Sequence, residues 1–200
     1  MAVVTSNAGR MPRIGIVDNH GPKEKAMNVV TLALCSALAF WASEAVAQPA
    51  GPTDAQIAAI VVAANQVDID AGKLAISKAN AKDVKAFAQQ MITDHTGVNK
   101  QATELVTKLK VKPEENDTSR SLKRDGAENI ARLQKLKGAD FDRAYIAQEV
   151  AYHQAVIDAL DKTLVPNAKN EELKALLVKV RPAFVAHMEH AKSLQGKVAK

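Results

Sequence analysis

Apolar residues recur every three or four positions over most of residues 53–198, the spacing of one face of an α-helix. The first such segment opens at Thr53, and Gln56 three residues later predicts a capping box that fixes the helix start. This helix is expected to end near Ala79. Its apolar stripe is Ile57, Ile60, Val61, Ala64, Ala71, Leu74 and Ala75.

A second helix is predicted after Asn80, which would act as hinge and cap. Every step of its stripe is three or four residues, so one face is specified over its whole length. Pro113 and the polar run at 114–119 should end it. The stripe is Val84, Phe87, Met91, His95, Val98, Ala102, Leu105 and Leu109.

Three further helices follow. The third is shorter and should stop at Gly138; Asp140 should cap the fourth, which Pro166-Asn167 ends. The fifth is predicted to start near Asn170, and Pro182 inside it should kink it or displace a hydrogen bond. Their stripes are Leu122, Ile130, Leu133 and Leu136; Ile146, Val150, His153, Ile157, Leu160 and Leu164; and Leu173, Leu177, Val180, Phe184, His187, Ala191, Leu194 and Val198.

Four long amphipathic helices and one short one predict an all-α domain over residues 48–200, a four-helix bundle of two hairpins joined by a linker and the short helix. Aromatic residues make up only 4% of the chain, which disfavours a sheet. The net charge of +5 comes from Lys and Arg interspersed with Asp and Glu. This mixture is typical of a solvated surface, so no nucleic-acid partner is expected.

The N-terminal 47 residues are expected to be an extension followed by a cleaved secretory signal peptide. Lys23 and Lys25 precede an apolar stretch at 29–41, and Ala45-Val46-Ala47 offers a small-x-small cleavage site. The stretch is shorter than the roughly 20 residues that span a bilayer, so no retained transmembrane helix is expected. The mature protein would begin at Gln48 and reside in the periplasm or cell envelope.

Alternatives to simple cleavage are an uncleaved membrane anchor and a lipoprotein attached through Cys35, although Leu34 is larger than lipoprotein signals prefer before that cysteine. Translation could also start at Met11 or Met27. Because Cys35 is the only cysteine, the mature chain would hold no disulfide, no cysteine-ligated metal and no thiol nucleophile.

Several segments resemble a known family. Residues 68–75 (DIDAGKLA), 87–95 (FAQQMITDH) and 141–146 (FDRAYI), with His153 beyond them, are similar to the blocks of the ferritin-like family called domain of unknown function 4142. Pro182 and His187 match the proline and histidine of that family's last helix. The resemblance covers about residues 53–194 and implies a ferritin-like bundle without implying an activity. In this chain Asp68 and Asp70 replace the family's glutamates, and the shorter side chains reach a shared site less easily.

His95, His153 and His187 each lie on the apolar stripe of a different helix, and Asp68 lies near the inward face of the first. Imidazole binds zinc, copper, iron and nickel, so these four residues are candidate metal ligands. The alternative is a structural role, in which buried imidazoles hydrogen-bond to Asp68, Asp94 or Tyr145.

Positions along the predicted helices place Asp68 and His95 at similar heights in the bundle, but place His153 and His187 at different heights. Counted from the Asn80 hinge, Asp68 and His95 differ by about 4–5 Å in height. Counted from the expected ends at Leu164 and Asn170, His153 and His187 differ by about 9 Å, which argues against one compact site with three histidines. The Glu-x-x-His pattern of di-iron bundles is missing.

Two functional hypotheses remain. The preferred one is a non-enzymatic, exported binding or interaction module with an envelope partner or small ligand. The alternative is a protein that binds a divalent transition metal through Asp68, His95, His153 and His187; no other cofactor is expected. The sequence contains no Gly-rich phosphate loop and no G-x-S-x-G or H-E-x-x-H motif that would indicate an enzyme.

Overall fold

The computed structural model describes residues 51–198, and within that range it contains helices and no strand, so the all-α expectation is confirmed. The extension and export signal predicted for residues 1–47 lie outside the described residues. The elements are α1 (Asp54–Lys78), α2 (Lys82–Lys108), α3 (Asp117–Gln134), α4 (Gly138–Ala159), a π-helical turn (Leu160–Leu164), the short α5 (Val165–Asn167) and α6 (Glu171–Val198).

Side-chain caps begin three of the helices. The predicted box at the start of α1 is confirmed, since Thr53 Oγ1 accepts from the Gln56 amide at 3.3 Å and Gln56 Oε1 accepts from the Thr53 amide at 3.1 Å. Asn116 and Ser119 form an equivalent box at α3. Asn170 Oδ1 accepts from the amide of Leu173 at 3.1 Å and thereby caps α6.

Three predictions about helix ends are wrong. Ala81, not Asn80, is the N-cap residue of α2. The Asp142 carboxylate on α4 accepts hydrogen bonds from the backbone amides of Asn80 and Ala81 at 2.9 and 2.8 Å, so no local side-chain cap is needed. Gly138, at φ +54°, begins α4 instead of ending α3, which stops earlier at Gln134. Asp140 therefore lies inside the first turn of α4, where its negative charge interacts favourably with the helix dipole, but it does not cap the helix.

The long helices pack as two hairpins, α1 with α2 and α4 with α6, while α3 lies along α1. The contact between α3 and α1 is close, because a Cβ added to Gly126 would approach Val67 to 2.7 Å. α4 continues through the π-helical turn to Asn167, and α6 runs on through Pro182. No helix among the described residues has both the length and the apolarity that crossing a membrane requires.

The core of the bundle consists of two apolar clusters with buried polar residues between them along each long helix. One cluster is built around Ile57, Leu160 and Phe184, and the other around Phe87 and Tyr145. The polar residues between them are Asn65, Asp68, His95, Glu149, His153 and His187, all at most 3% exposed. We call these six residues the polar layer.

Candidate metal centre

The structure brings together all four candidate ligands predicted from the sequence. Asp68 comes from α1, His95 from α2, His153 from α4 and His187 from α6, so each long helix contributes one side chain. The ring centroids of the three histidines are 5.4 to 5.5 Å apart. One ring nitrogen of each histidine lies within 4.8 Å of the other two.

Asp68 faces two of these rings. Its Oδ2 is 2.5 Å from Nε2 of His95 and 3.7 Å from Nε2 of His153. The shorter aspartate side chain therefore does reach the histidines. Phe184 stacks on the His95 ring at a centroid distance of 5.2 Å and an interplanar angle of 3°, which restricts rotation of that imidazole.

The register argument against a three-histidine site is wrong, and the reason is the length of the second hairpin. The helical path of α4 does not end at Leu164 but continues through the π-helical turn and α5 to Asn167. His153 lies 14 residues before Asn167, and His187 lies 16 residues after the start of α6 at Glu171. The two histidines therefore differ in height by only about 3 Å.

A neighbouring group holds one nitrogen of each imidazole. The amide of Asn65 donates to the Val61 carbonyl at 2.8 Å, which leaves Asn65 Oδ1 to accept from Nδ1 of His95 at 2.7 Å. Nδ1 of His153 donates to the Glu149 carbonyl at 3.0 Å.

Nε2 of His187 donates to Asp94 Oδ2 at 2.9 Å, as the structural hypothesis anticipated for Asp94. Metal-binding histidines commonly have such outer partners, which fix the tautomer and the ring orientation.

The second nitrogen of each imidazole is buried without a hydrogen-bond partner. These atoms are Nε2 of His95, Nε2 of His153 and Nδ1 of His187, and both carboxylate oxygens of Asp68 share this property. The contact between His95 and Asp68 is short, yet its geometry is not that of a hydrogen bond. When Nδ1 donates to Asn65, Nε2 of His95 faces this carboxylate, and only a proton fits between two atoms 2.5 Å apart. A metal ion bound to both atoms would hold them farther apart than they are here.

The pKa values of two buried carboxyl groups in the polar layer, Asp68 and Glu149, are shifted in opposite directions. Burial opposes ionisation of Asp68, but electrostatic attraction to the nearby imidazoles of His95 and His153 outweighs burial and lowers the pKa of Asp68 to about 2. Burial and the negative charge of Asp68 raise the pKa of Glu149 well above its ordinary value. Within one layer, the surroundings thus favour the charged form of Asp68 and the neutral form of Glu149.

Burial also lowers the pKa of His153 to about 4 and lowers that of His187. Both rings are consequently neutral near pH 7, the form in which imidazole binds metal ions. Asp68, ionised, and two neutral imidazoles are ready to act as ligands without first losing a proton.

Sequence reasoning missed Asn65 and Glu149. Both are polar residues on otherwise buried stripes: Asn65 falls between Val61 and Asp68, and Glu149 is four residues before His153. Tyr145, considered as a partner for the histidines, has a buried hydroxyl with no hydrogen-bond partner.

Comparison with known proteins agrees with the helical architecture. The family described as Domain of unknown function (DUF4142) matches residues 41–194. No curated protein matches the chain. A solved structure described as CopM in the Cu(II)-bound form is similar over 73% of this chain and 98% of that chain, with a TM-score of 0.57 and 20% sequence identity. At this identity the likeness shows a shared fold.

Proposed function

Because the chain belongs to the DUF4142 family, whose description assigns no function, we propose a function from its own residues: it binds one divalent transition-metal ion inside the bundle. His95, His153 and His187 supply three imidazole nitrogens, and Asp68 supplies a carboxylate oxygen. This is the metal-binding hypothesis, with the ligands expected from the sequence.

The observation that carries the proposal is the convergence of unpartnered buried atoms. Three imidazole nitrogens, both carboxylate oxygens of Asp68 and one carboxyl oxygen of Glu149 in the polar layer lack hydrogen-bond partners. Leaving one such polar atom unsatisfied typically costs about 1–3 kcal/mol, so a purely structural cluster would be expected to pair them. The other nitrogen of each ring is hydrogen-bonded, to Asn65 for His95, to the Glu149 carbonyl for His153 and to Asp94 for His187. This distribution is expected of a ligand set and its supporting shell.

The donor set narrows the choice of metal. Imidazole suits zinc, copper, iron and nickel, while sites for magnesium and calcium are built from oxygen atoms. Three nitrogens and one carboxylate therefore favour Zn²⁺, Cu²⁺, Fe²⁺ or Ni²⁺. The Cu(II)-bound protein that shares this fold supports testing copper first.

The burial of the site favours metal binding over catalysis. All four proposed ligand side chains are at most 4% exposed, and a shell made of the three imidazoles and Asp68 would be four-coordinate. Catalytic metal centres keep a position open for water or substrate, whereas closed shells hold the ion. The proposal is accordingly a non-enzymatic metal-binding protein.

The test is the metal content and affinity of the protein purified from its host. We expect one tightly held ion per chain, and competition titration with a chromogenic chelator should show weaker binding in His153→Gln. The matched control is His190→Gln, which removes an exposed histidine of α6 and should leave the affinity unchanged. Absence of stoichiometric binding of copper, zinc, iron and nickel would refute the function.

Export is the second part of the proposal. It rests on the signal-like order of residues 23–47, with a positive flank, an apolar stretch and a small-x-small site. We expect the protein in the periplasmic fraction with Gln48 at its N-terminus. Intact-mass measurement of that fraction decides the point, and a mass that still includes Trp41 would contradict cleavage after Ala47.

A further inference from the structure

An apolar cavity lies beside the proposed metal centre, and all four long helices and α3 contribute to its wall. Its volume is about 120 Å³, and most of its lining is aliphatic or aromatic, as at Ile60, Leu177 and Val180. Protein interiors contain few voids larger than a water molecule. A cavity of this size that reaches the buried polar layer is therefore a feature to explain.

The cavity extends from the surface to the polar layer. At the outer end, its walls include the exposed residues Thr118 on α3 and Ala155 on α4. At the inner end, they include His95 and Phe184, the stacked pair described above. A small molecule that enters between α3 and α4 would thus come to rest against the metal ligand His95.

The π-helical turn forms part of the wall. Leu160 and Leu164 both line the cavity, and they are the first and last residues of that turn. A π-helical turn is rare and is frequently found at functional sites, because it departs from regular α-helical hydrogen bonding. The irregular segment and the cavity are thus two separate observations at one place.

We propose that this cavity binds a single small, uncharged, apolar molecule of about the size of benzene. An engineered apolar cavity of about 150 Å³ in another protein stays dry and binds benzene or xenon, so the volume here suits such a ligand. The polar side chains at the inner end do not call for a charged ligand, because His95 Nδ1 and the Asn65 amide are already hydrogen-bonded. Burying an unpaired charge here would be unfavourable.

The test uses isotope-labelled protein from the full-length gene, freed of metal by a chelator and titrated with benzene. We expect saturable shifts of the Leu160, Leu177 and Val180 methyl signals. In Ala159→Leu, which fills the cavity, binding should weaken by about tenfold or more. The matched control Ala144→Leu changes a half-buried alanine of the same helix outside the cavity and should bind as the wild type does.

If Ala159→Leu does not fold, Ala64→Leu on α1 fills the cavity from another part of its wall and should weaken benzene binding in the same way. Benzoate, which has the same ring with a charge, should show no saturable binding. The inference would be overturned by non-saturable shifts with benzene, by equal affinity in the filled variants, or by benzoate binding as well as benzene. Because the protein is metal-free throughout, these outcomes are independent of whether the metal proposal holds.

Discussion

Replacing His95 with glutamine separates the metal-binding role from a structural one. In the metal-free protein, the substitution removes the hydrogen bond to Asn65 and the ring stacked on Phe184. We therefore expect a loss of roughly 1–3 kcal/mol in the free energy of unfolding, with a chelator present. This loss alone does not distinguish the two roles, since both need the imidazole in place.

Metal dependence makes the distinction. A metal ion that binds only the folded state, at a free concentration about a thousand times its dissociation constant, stabilises the wild type by about 4.1 kcal/mol. Changing an outer partner of a metal ligand typically weakens binding 10–100-fold, and removing a ligand should weaken it at least as much. A hundredfold weaker site gains only about 1.4 kcal/mol at the same metal concentration.

The assay is urea unfolding followed by circular dichroism, with chelator and with the metal that the wild type retains. His190→Gln is the control, because that histidine is exposed and is not among the candidate ligands. It should keep the full metal-dependent gain. An equal metal-dependent gain in wild type and His95→Gln would refute the assignment of His95 as a ligand.

Three further predictions test the surroundings of the site. Asn65→Ala should weaken metal binding 10–100-fold while leaving the stoichiometry unchanged, because Asn65 holds His95 Nδ1 without being a ligand; unchanged affinity in competition titration would contradict this. Because the pKa of Glu149 is raised, the folded protein keeps a proton on this residue that the unfolded chain releases above about pH 4.5. Above that pH, the metal-free wild type should therefore lose about 1.4 kcal/mol of unfolding free energy per pH unit relative to Glu149→Gln. Urea melts between about pH 4 and pH 7 measure this difference, and parallel curves would argue against a neutral Glu149. Phe87→Ala should destabilise the bundle by roughly 3–5 kcal/mol, because it empties a fully buried position of the core, and an unchanged urea midpoint would contradict that packing.

Periodicity and local caps predicted the helical part of the fold well because both are encoded within a few residues. The capping box at Thr53 and the end of the helical path at Asn167 agree with the sequence signals. The start of α2 could not be predicted in the same way, because its amides are satisfied by Asp142, about 60 residues away. Local rules favoured Asn80 as the cap and contained no information about a carboxylate from another helix.

The sequence identified the four candidate residues but not their relative geometry. The histidines were recognisable because each is a polar residue on an apolar stripe. Their common height depends on Val165–Asn167, three further helical residues that extend the path of α4 past Leu164, where the register argument had placed its end. Asn65 and Glu149 carried the same stripe signal as the histidines, so a search for all buried polar positions would have found the complete layer.

X-ray absorption spectroscopy of the protein loaded with one equivalent of its metal tests the central claim most directly. The proposal predicts a shell of three imidazole nitrogens and one carboxylate oxygen, with metal–nitrogen distances of about 2.0–2.1 Å if the ion is zinc. The spectrum should change when His95, His153 or His187 is replaced by glutamine and should remain the same in His190→Gln. A shell without the three imidazoles, or one that persists when all three are replaced, would contradict the metal centre.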